Sequence, residues 1–366
     1  MADPILIRKL PPVWFIRALN SIRSGLLRLH RMTFPSNVVL YERFTSLWVL
    51  PAIRVAAELD IAGILEKGPL SVEQLAERTG SDPEALFRLM RALASENIFQ
   101  KTKKGLYKNT SLSKVLADGK GSLRYMLMQH LGTLNWTALN DLSYSIKTGK
   151  SAFSKVYGMK IYDYLSEHPE ESALFDRSMT NLSEISIEPI LSAVDFSNYP
   201  VIADIGGGEG LLLSSILYKT KNSRGILFDL PEGLNHAETI LGKFGVAERV
   251  QVIQGSFFTT APAGADVYLL KNVLHNWSVE ESVKILNNIR NVMPSHAKIL
   301  ILEMILDEEN HASFGKLIDL QMMVFMEEGK ERTRKEFMSL LQLAGLRLNR
   351  VIPTIAPISI IEAVIK

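Results

Sequence analysis

A chain of 366 residues is long for one domain, and with 47% apolar residues it can bury a sizeable core. Its 41 basic and 39 acidic side chains leave a formal charge of +2, too balanced to argue for nucleic acid. The absence of cysteine excludes disulfides and thiolate metal ligands and fits a cytoplasmic location.

No uninterrupted apolar run of about 18 residues reads as a membrane span, and the N-terminus has no secretory leader pattern. Residues 1–37 form an N-terminal extension. Trp14, Phe15, Ile16, Leu19, Ile22, Leu26, Leu27 and Leu29 alternate with Arg17, Arg23, Arg28 and Arg31. That pattern predicts a basic amphipathic helix, which can lie on an anionic membrane surface. Apolar helix faces more often pack on protein, so a helix clasping a second copy is the favoured reading.

Residues 38–121 read as a small winged-helix-like unit. Trp48 to Leu65 is expected to be one amphipathic helix with Pro51 near its start. Ser71 to Gln74 opens the next helix as a capping box, and Gly80 ends it. Asp82-Pro83-Glu84 starts a third helix with Leu86, Leu89, Met90 and Leu93 on one face. Ile98 to Gln100 and Leu106-Tyr107 then flank a lysine-rich turn as a β-hairpin. A helix-turn-helix of this kind can enter a major groove, but the third helix offers only Arg88 and Arg91 as cations. Several phosphate contacts need more, so DNA binding remains a minority reading and no nucleic-acid partner is expected.

Residues 122–195 are read as a helical connector rich in aromatics and methionine, most of which should form core. A minority, Phe153, Phe175 and Met179, is expected to line an apolar substrate pocket.

From 196 to 366 strands and helices alternate, which predicts a doubly wound, mainly parallel α/β sheet. Strands are expected at 201–206, 224–230, 249–255, 266–271, 297–305, 346–353 and 358–365, the last two as an antiparallel pair. The first strand runs into Asp204-Ile205-Gly206-Gly207-Gly208-Glu209-Gly210. A Cβ there would block close approach of the backbone to a ligand, and the following helix offers free N–H groups to an anion. Asp229 ends the second strand about 20 residues on, where an acidic side chain grips ribose hydroxyls. The two features together predict a nucleoside-cofactor site.

Lys271-Asn272-Val273-Leu274-His275-Asn276-Trp277 closes the fourth strand, at the sheet end where a ligand crevice forms. Glu303 ends the fifth strand and Glu331 follows in a charged loop. A carboxylate on one imidazole nitrogen fixes the tautomer and raises the basicity of the other. Surface ion pairing of Glu331 with Lys330 or Arg332 is the alternative.

The run from Asp204 to Gly210, Phe228 to Pro231, Gly255 to Phe258, Leu274 to Trp277 and Gly329 to Thr333 resembles the S-adenosylmethionine-dependent O-methyltransferases. The subgroup is that of caffeic acid, acetylserotonin and bacterial phenazine or polyketide enzymes. The resemblance covers nearly the whole chain and implies a Rossmann-like methyltransferase domain behind a winged-helix-like dimerisation domain, hence a homodimer. It implies that Gly206, Gly207 and Gly208 face the methionine part of the cofactor, with Asp204 and Lys271 beside it. Asp229 and Leu230 would meet the ribose, while Gly255, Ser256 and Phe257 would border the adenine. His275 corresponds to the catalytic base, flanked by Glu303 and Glu331, with Asn276 and Trp277 toward a small aromatic acceptor. The products would be a methyl ether and S-adenosylhomocysteine, and no metal is required.

Two positions depart from the family. It usually has an acidic residue where Ser256 stands and Asp where Asn276 stands. An uncharged acceptor at 256 could weaken cofactor affinity by about 1 kcal/mol. Two rival functions stay open: a relative that uses the cofactor for rearrangement or decarboxylation, and a DNA-binding regulator.

Overall fold

A computed structural model of the chain describes residues 10–308 and 313–366. Two compact units interleave along the sequence. One holds residues up to Ser24, Asp141–Ile161 and Ile185–Lys366, the other Gly25–Asn140 and Tyr162–Glu184. The stretch 122–195 contributes to both. Val13–Met32 is a single 20-residue helix in which no residue is buried.

In the winged unit the expected helix from Trp48 to Leu65 is broken. Val49–Glu58 is helical, with Pro51 in its first turn, where its missing N–H costs nothing. Asp60 then adopts a left-handed φ of 50° and a short helix, Ile61–Ile64, starts anew. Aspartate tolerates that conformation better than most side chains, and its carboxylate accepts from Arg124 Nη1 at 2.8 Å. The capping box at Ser71, the left-handed Gly80 cap and the Asp82 cap before Pro83 all form as expected. Strands β1 (Phe99–Lys101) and β2 (Tyr107–Asn109) pair antiparallel as the hairpin. Ala56, Ile61, Leu75, Met90, Leu93 and Phe99 close the core beneath them. Lys101 lies over the rings of Phe87 and Tyr107, and Arg91 over Phe87.

The α/β unit holds β3 (Val201–Ile205), β4 (Arg224–Asp229), β5 (Val250–Gln254), β6 (Val267–Lys271), β7 (Lys298–Leu306), β8 (Arg332–Thr333), β9 (Leu346–Pro353) and β10 (Ile358–Ile365). Their order is β5-β4-β3-β6-β7-β10-β9, with β8 paired to the end of β7. Strands β3 to β7 are parallel, and β10 runs antiparallel to both its neighbours. Seven strands fall within a residue or two of their expected places; only the two-residue β8 is new. Apolar residues on both faces build two cores, one through Leu270, Leu286 and Phe337, the other through Leu213, Leu227 and Leu269.

The chain steps outward from β3 to β5 and then returns to lay β6 against the other side of β3. This reversal opens a crevice at the carboxyl ends of β3 and β6. The glycine turn leaves β3 there, and the His275 turn leaves β6 there.

Candidate active site

After Ile205 the backbone turns through Gly206 (φ 67°), Gly207, Gly208 (φ 55°) and Gly210 (φ 79°), which caps the helix Leu211–Lys219. The glycines serve different ends. A Cβ on Gly207 would come within 2.6 Å of Leu227 Cδ1 and 2.7 Å of Asp204 Cγ. A Cβ on Gly206 would meet Val273 Cγ2 at 3.1 Å. At Gly208 nothing lies within 4 Å, so this residue alone of the three presents an open face. Packing from beneath therefore accounts for Gly206 and Gly207, and the open face at Gly208 leaves room for a ligand.

Asp229, at the end of β4, braces that turn. Its Oδ2 accepts from the Gly208 amide at 2.7 Å and its Oδ1 from the Leu230 amide at 2.7 Å. Burial raises its carboxyl above the ordinary range, against the pull of those two amides. Each oxygen keeps a lone pair that can accept a hydroxyl. Asp204 is almost fully buried and its Oδ2 has no hydrogen-bond partner. Burial pushes its carboxyl to about 7, opposed by the charge of Lys271. The same burial brings the Lys271 ammonium down to about 8, opposed by Asp204. An orphaned carboxylate oxygen beneath an open glycine face, and a braced carboxylate beside it, fit a ligand carrying an ammonium and vicinal hydroxyls. S-adenosylmethionine is such a ligand.

Gly255 donates to the Asp229 carbonyl at 2.9 Å, and a Cβ there would strike the Phe228 ring at 2.7 Å. Ser256 opens a turn, its hydroxyl accepting from the Phe258 amide at 3.3 Å. The Phe257 ring lies 3.4 Å from where a Cβ on Gly206 would stand.

His275 rides on a one-turn 3-10 helix, Leu274–Asn276, directly after β6. Buried charges frame that turn from two sides. Glu303, on β7, accepts through one oxygen from the amides of Leu274 at 2.6 Å and His275 at 3.2 Å. Arg332, on β8, donates to the carbonyls of Leu274 and Trp277, each at 2.7 Å, and to Ser282 Oγ at 3.3 Å. The Lys330 amide takes the His275 carbonyl at 2.8 Å. The imidazole itself meets one carboxylate: Nδ1 is 2.9 Å from Glu331 Oε1. Asp319 in turn fixes the Glu331 amide at 2.9 Å.

Both glutamates expected to flank His275 stand beside it, Glu331 at the ring and Glu303 at the backbone amides. The surface ion pair is not formed, since the Glu331 side chain is 0% exposed and Lys330 pairs with Glu336. With Glu331 as acceptor, Nδ1 carries the proton and Nε2 keeps the lone pair. Burial alone would lower the imidazole pKa. The Glu331 hydrogen bond and the charges of Glu303 and Glu331 outweigh it and raise the pKa above the ordinary value.

Trp277 packs on Phe258 at 4.8 Å and Phe257 at 6.0 Å, each edge-on. Asn276 donates to the Asn272 carbonyl at 3.3 Å, helped by the left-handed φ of 53° at Asn272. Phe153 is fully buried against Tyr157 and Phe325. Phe175 and Met179 lie on the helix Pro169–Ala193, in the stretch that belongs to the winged unit, with Tyr162 edge-on to Phe175 at 6.4 Å. The structure thus gathers His275, Glu303 and Glu331, and separately Gly208, Asp229 and Leu230. Sequence reasoning missed Arg332 and Asp319; Arg332 sits in a run of charges that reads as solvated. Among the described residues no group of three or more His, Asp or Glu is placed to hold a metal.

Residues 136–347 match the O-methyltransferase domain family and residues 41–119 the O-methyltransferase dimerisation domain family. The phenazine O-methyltransferase PhzM of Lysobacter antibioticus is 37% identical over 90% of this chain and 96% of its own. The crystal structure of LaPhzM superposes with a TM-score of 0.85 at 36% identity, covering 91% of this chain and all of the other. That of NcsB1, an O-methyltransferase from neocarzinostatin biosynthesis in complex with S-adenosylmethionine and 2-hydroxy-5-methyl naphthoic acid, gives 0.72 at 30% identity, covering 87% and 96% of the two chains. The chain belongs to the S-adenosylmethionine-dependent O-methyltransferases.

Arg332 offers a test of the frame. Replacing it with Leu leaves two carbonyls and two buried carboxylates without their cation, and breaking such a set typically costs about 3–5 kcal/mol. Urea unfolding of Arg332→Leu should show a loss of that size. A loss below about 1 kcal/mol, the scale of an exposed pair, would mean that the guanidinium does not hold the turn.

Proposed function

We propose that this enzyme methylates the hydroxyl of a small aromatic secondary metabolite, with His275 taking the hydroxyl proton. The contact between His275 Nδ1 and Glu331 carries the reading. The aromatic acceptors named for the phenazine enzyme and for the NcsB1 complex support the acceptor class. The match of residues 41–119 to the dimerisation domain supports a homodimer assembled through that unit.

Bound S-adenosylmethionine supplies a methyl group made electrophilic by the sulfonium. In this reading Asp229 accepts the ribose hydroxyls, with the Gly208 and Leu230 amides holding its carboxylate still. Gly208 keeps the turn open to the methionine part, with Gly206 and Gly207 beside it, and Asp204 is the acceptor for its ammonium. Phe257 borders the adenine. The acceptor hydroxyl meets the Nε2 lone pair of His275. A phenol titrates near about 10 and an imidazole near about 6.5, so the proton transfer is uphill by roughly 5 kcal/mol in water. Glu331 narrows that gap by stabilising the imidazolium, and its burial makes the stabilisation stronger than in solvent. Glu303 and Arg332 keep the turn from moving while the proton transfers. No metal enters this scheme.

Cofactor binding is tested apart from chemistry. Asp229→Ala should abolish S-adenosylmethionine binding in calorimetry while the protein stays folded, because the ribose loses its acceptor. Unchanged affinity would put the cofactor elsewhere.

Sedimentation at micromolar concentration should give a dimer. A monomer, with or without S-adenosylmethionine, would refute assembly through residues 41–119.

His275→Ala should lower kcat by roughly 10²–10⁴-fold with cofactor affinity kept. The base works as neutral imidazole and its pKa is raised, so the wild-type rate should fall as pH drops through a midpoint above the ordinary 6.5. Glu331→Gln removes the charge that raises it, so the midpoint should move down and kcat should drop; His275→Ala should lack this limb altogether. S-adenosylhomocysteine should appear one for one with product. Turnover without it would favour rearrangement or decarboxylation, and wild-type kcat in His275→Ala would leave the histidine a purely structural role.

A further inference from the structure

The dimerisation-domain match begins at residue 41, so the helix Val13–Met32 lies outside it. At 3.6 residues per turn, Trp14, Leu19, Ile22, Leu26, Leu29 and Met32 fall on one arc of roughly 140°. Every one of them is exposed, Trp14 to 69%, Ile22 to 60% and Leu26 to 61%. The half-buried positions Val13 and Ile16 lie off that arc. No described residue covers the apolar stripe.

Its charges narrow what can cover it. The helix contains Arg17, Arg23, Arg28 and Arg31 and no acidic residue. Among the described residues none of the four arginines forms an ion pair; His30 faces Glu42 at 3.8 Å. Pairing this helix with its copy would offer these guanidinium groups no carboxylate from either helix. An apolar surface elsewhere on a second copy would have to bring carboxylates to both sides of the stripe. A chain that needs a copy interface also has one elsewhere: Tyr41, Phe44, Leu47 and Trp48, all exposed, lie inside the dimerisation match.

We propose that the helix Val13–Met32 docks on an anionic lipid surface. The apolar arc enters the boundary between headgroups and acyl chains, and the arginines meet the lipid phosphates and carboxylates. A tryptophan near one end and arginines along the flank are what such an interfacial helix requires. Electrostatic attraction near an anionic leaflet decays within a Debye length, about 10 Å at 0.1 M salt and about 3 Å at 1 M. Binding should therefore weaken steeply with salt. The proposal is independent of the methyl-transfer chemistry, because it uses none of the same residues.

The test is co-sedimentation of the full chain with vesicles of phosphatidylcholine alone and of phosphatidylcholine with phosphatidylserine, at about 0.1 M and about 1 M salt. The expected result is binding to the serine-containing vesicles only, reduced at least tenfold at high salt. Changing Arg17, Arg23, Arg28 and Arg31 together to Gln should reduce it at least tenfold. Ile22→Asp with Leu26→Asp should also abolish it, while melting temperature and sedimentation coefficient stay at the wild-type values, since both side chains are exposed. No binding to serine-containing vesicles, or equal binding to both vesicle types, would overturn the proposal. So would a change from dimer to monomer in Ile22→Asp/Leu26→Asp, which would assign the stripe to a second copy of the chain.

Discussion

Everything at the catalytic end of the sheet depends on how four buried ionisable groups balance. Glu303, Glu331 and Arg332 are all within 2% of full burial, and the His275 side chain is 15% exposed. With neutral imidazole the set carries two negative charges against one positive. With imidazolium it is balanced. Among the described residues Glu303 Oε2 and Glu331 Oε2 accept no hydrogen bond. Burying such groups is costly unless they are paired. The imbalance is what makes His275 more basic, and protonation of the imidazole relieves it. Glu303 itself titrates high because of its burial, opposed first by His275.

The same groups serve geometry. A single 3-10 turn is a weak platform, with poorer hydrogen bonds than an α-helix. Glu303 holds its two leading amides and Arg332 two of its carbonyls, so the turn is fixed at both ends by side chains from β7 and β8. Those strands pair only because β8 lies alongside the last residues of β7. On the other side of the crevice, Phe257 touches the space above Gly206 and packs on Trp277. A shift of the glycine turn is thus felt by the residue two positions after the base.

The sheet was legible because its signal is strong: long apolar runs punctuated by turns, each with a helix-period segment between. The glycine turn was legible because Asp204, the glycines and Asp229 stand at the ends of β3 and β4, where the chain must turn. What escaped depended on single side chains overriding a local pattern. Asp60 takes a left-handed conformation in the middle of an apolar periodicity, and no pattern of apolar residues announces that. Arg332 reads as solvent-facing between Glu331 and Arg334, yet the pairing of β8 turns it inward. Phe153 is fully buried against Tyr157 and Phe325, and no sequence pattern separates a core aromatic from one that lines a pocket. Gly207 reads as a ligand requirement, and packing on Leu227 and Asp204 demands a glycine there as well.

The departure at 276 fits the same balance of charge. The family pattern leads one to expect aspartate directly after the base. Here Asn276 is neutral and spends its amide on the Asn272 carbonyl, closing the loop that leaves β6. An aspartate in that place could not donate to a carbonyl. It would add a further negative charge to a turn already held by Glu303. Asparagine adds none, and it satisfies the backbone of a turn that follows a left-handed residue at 272. The uncharged residue is therefore consistent with the histidine acting as the base.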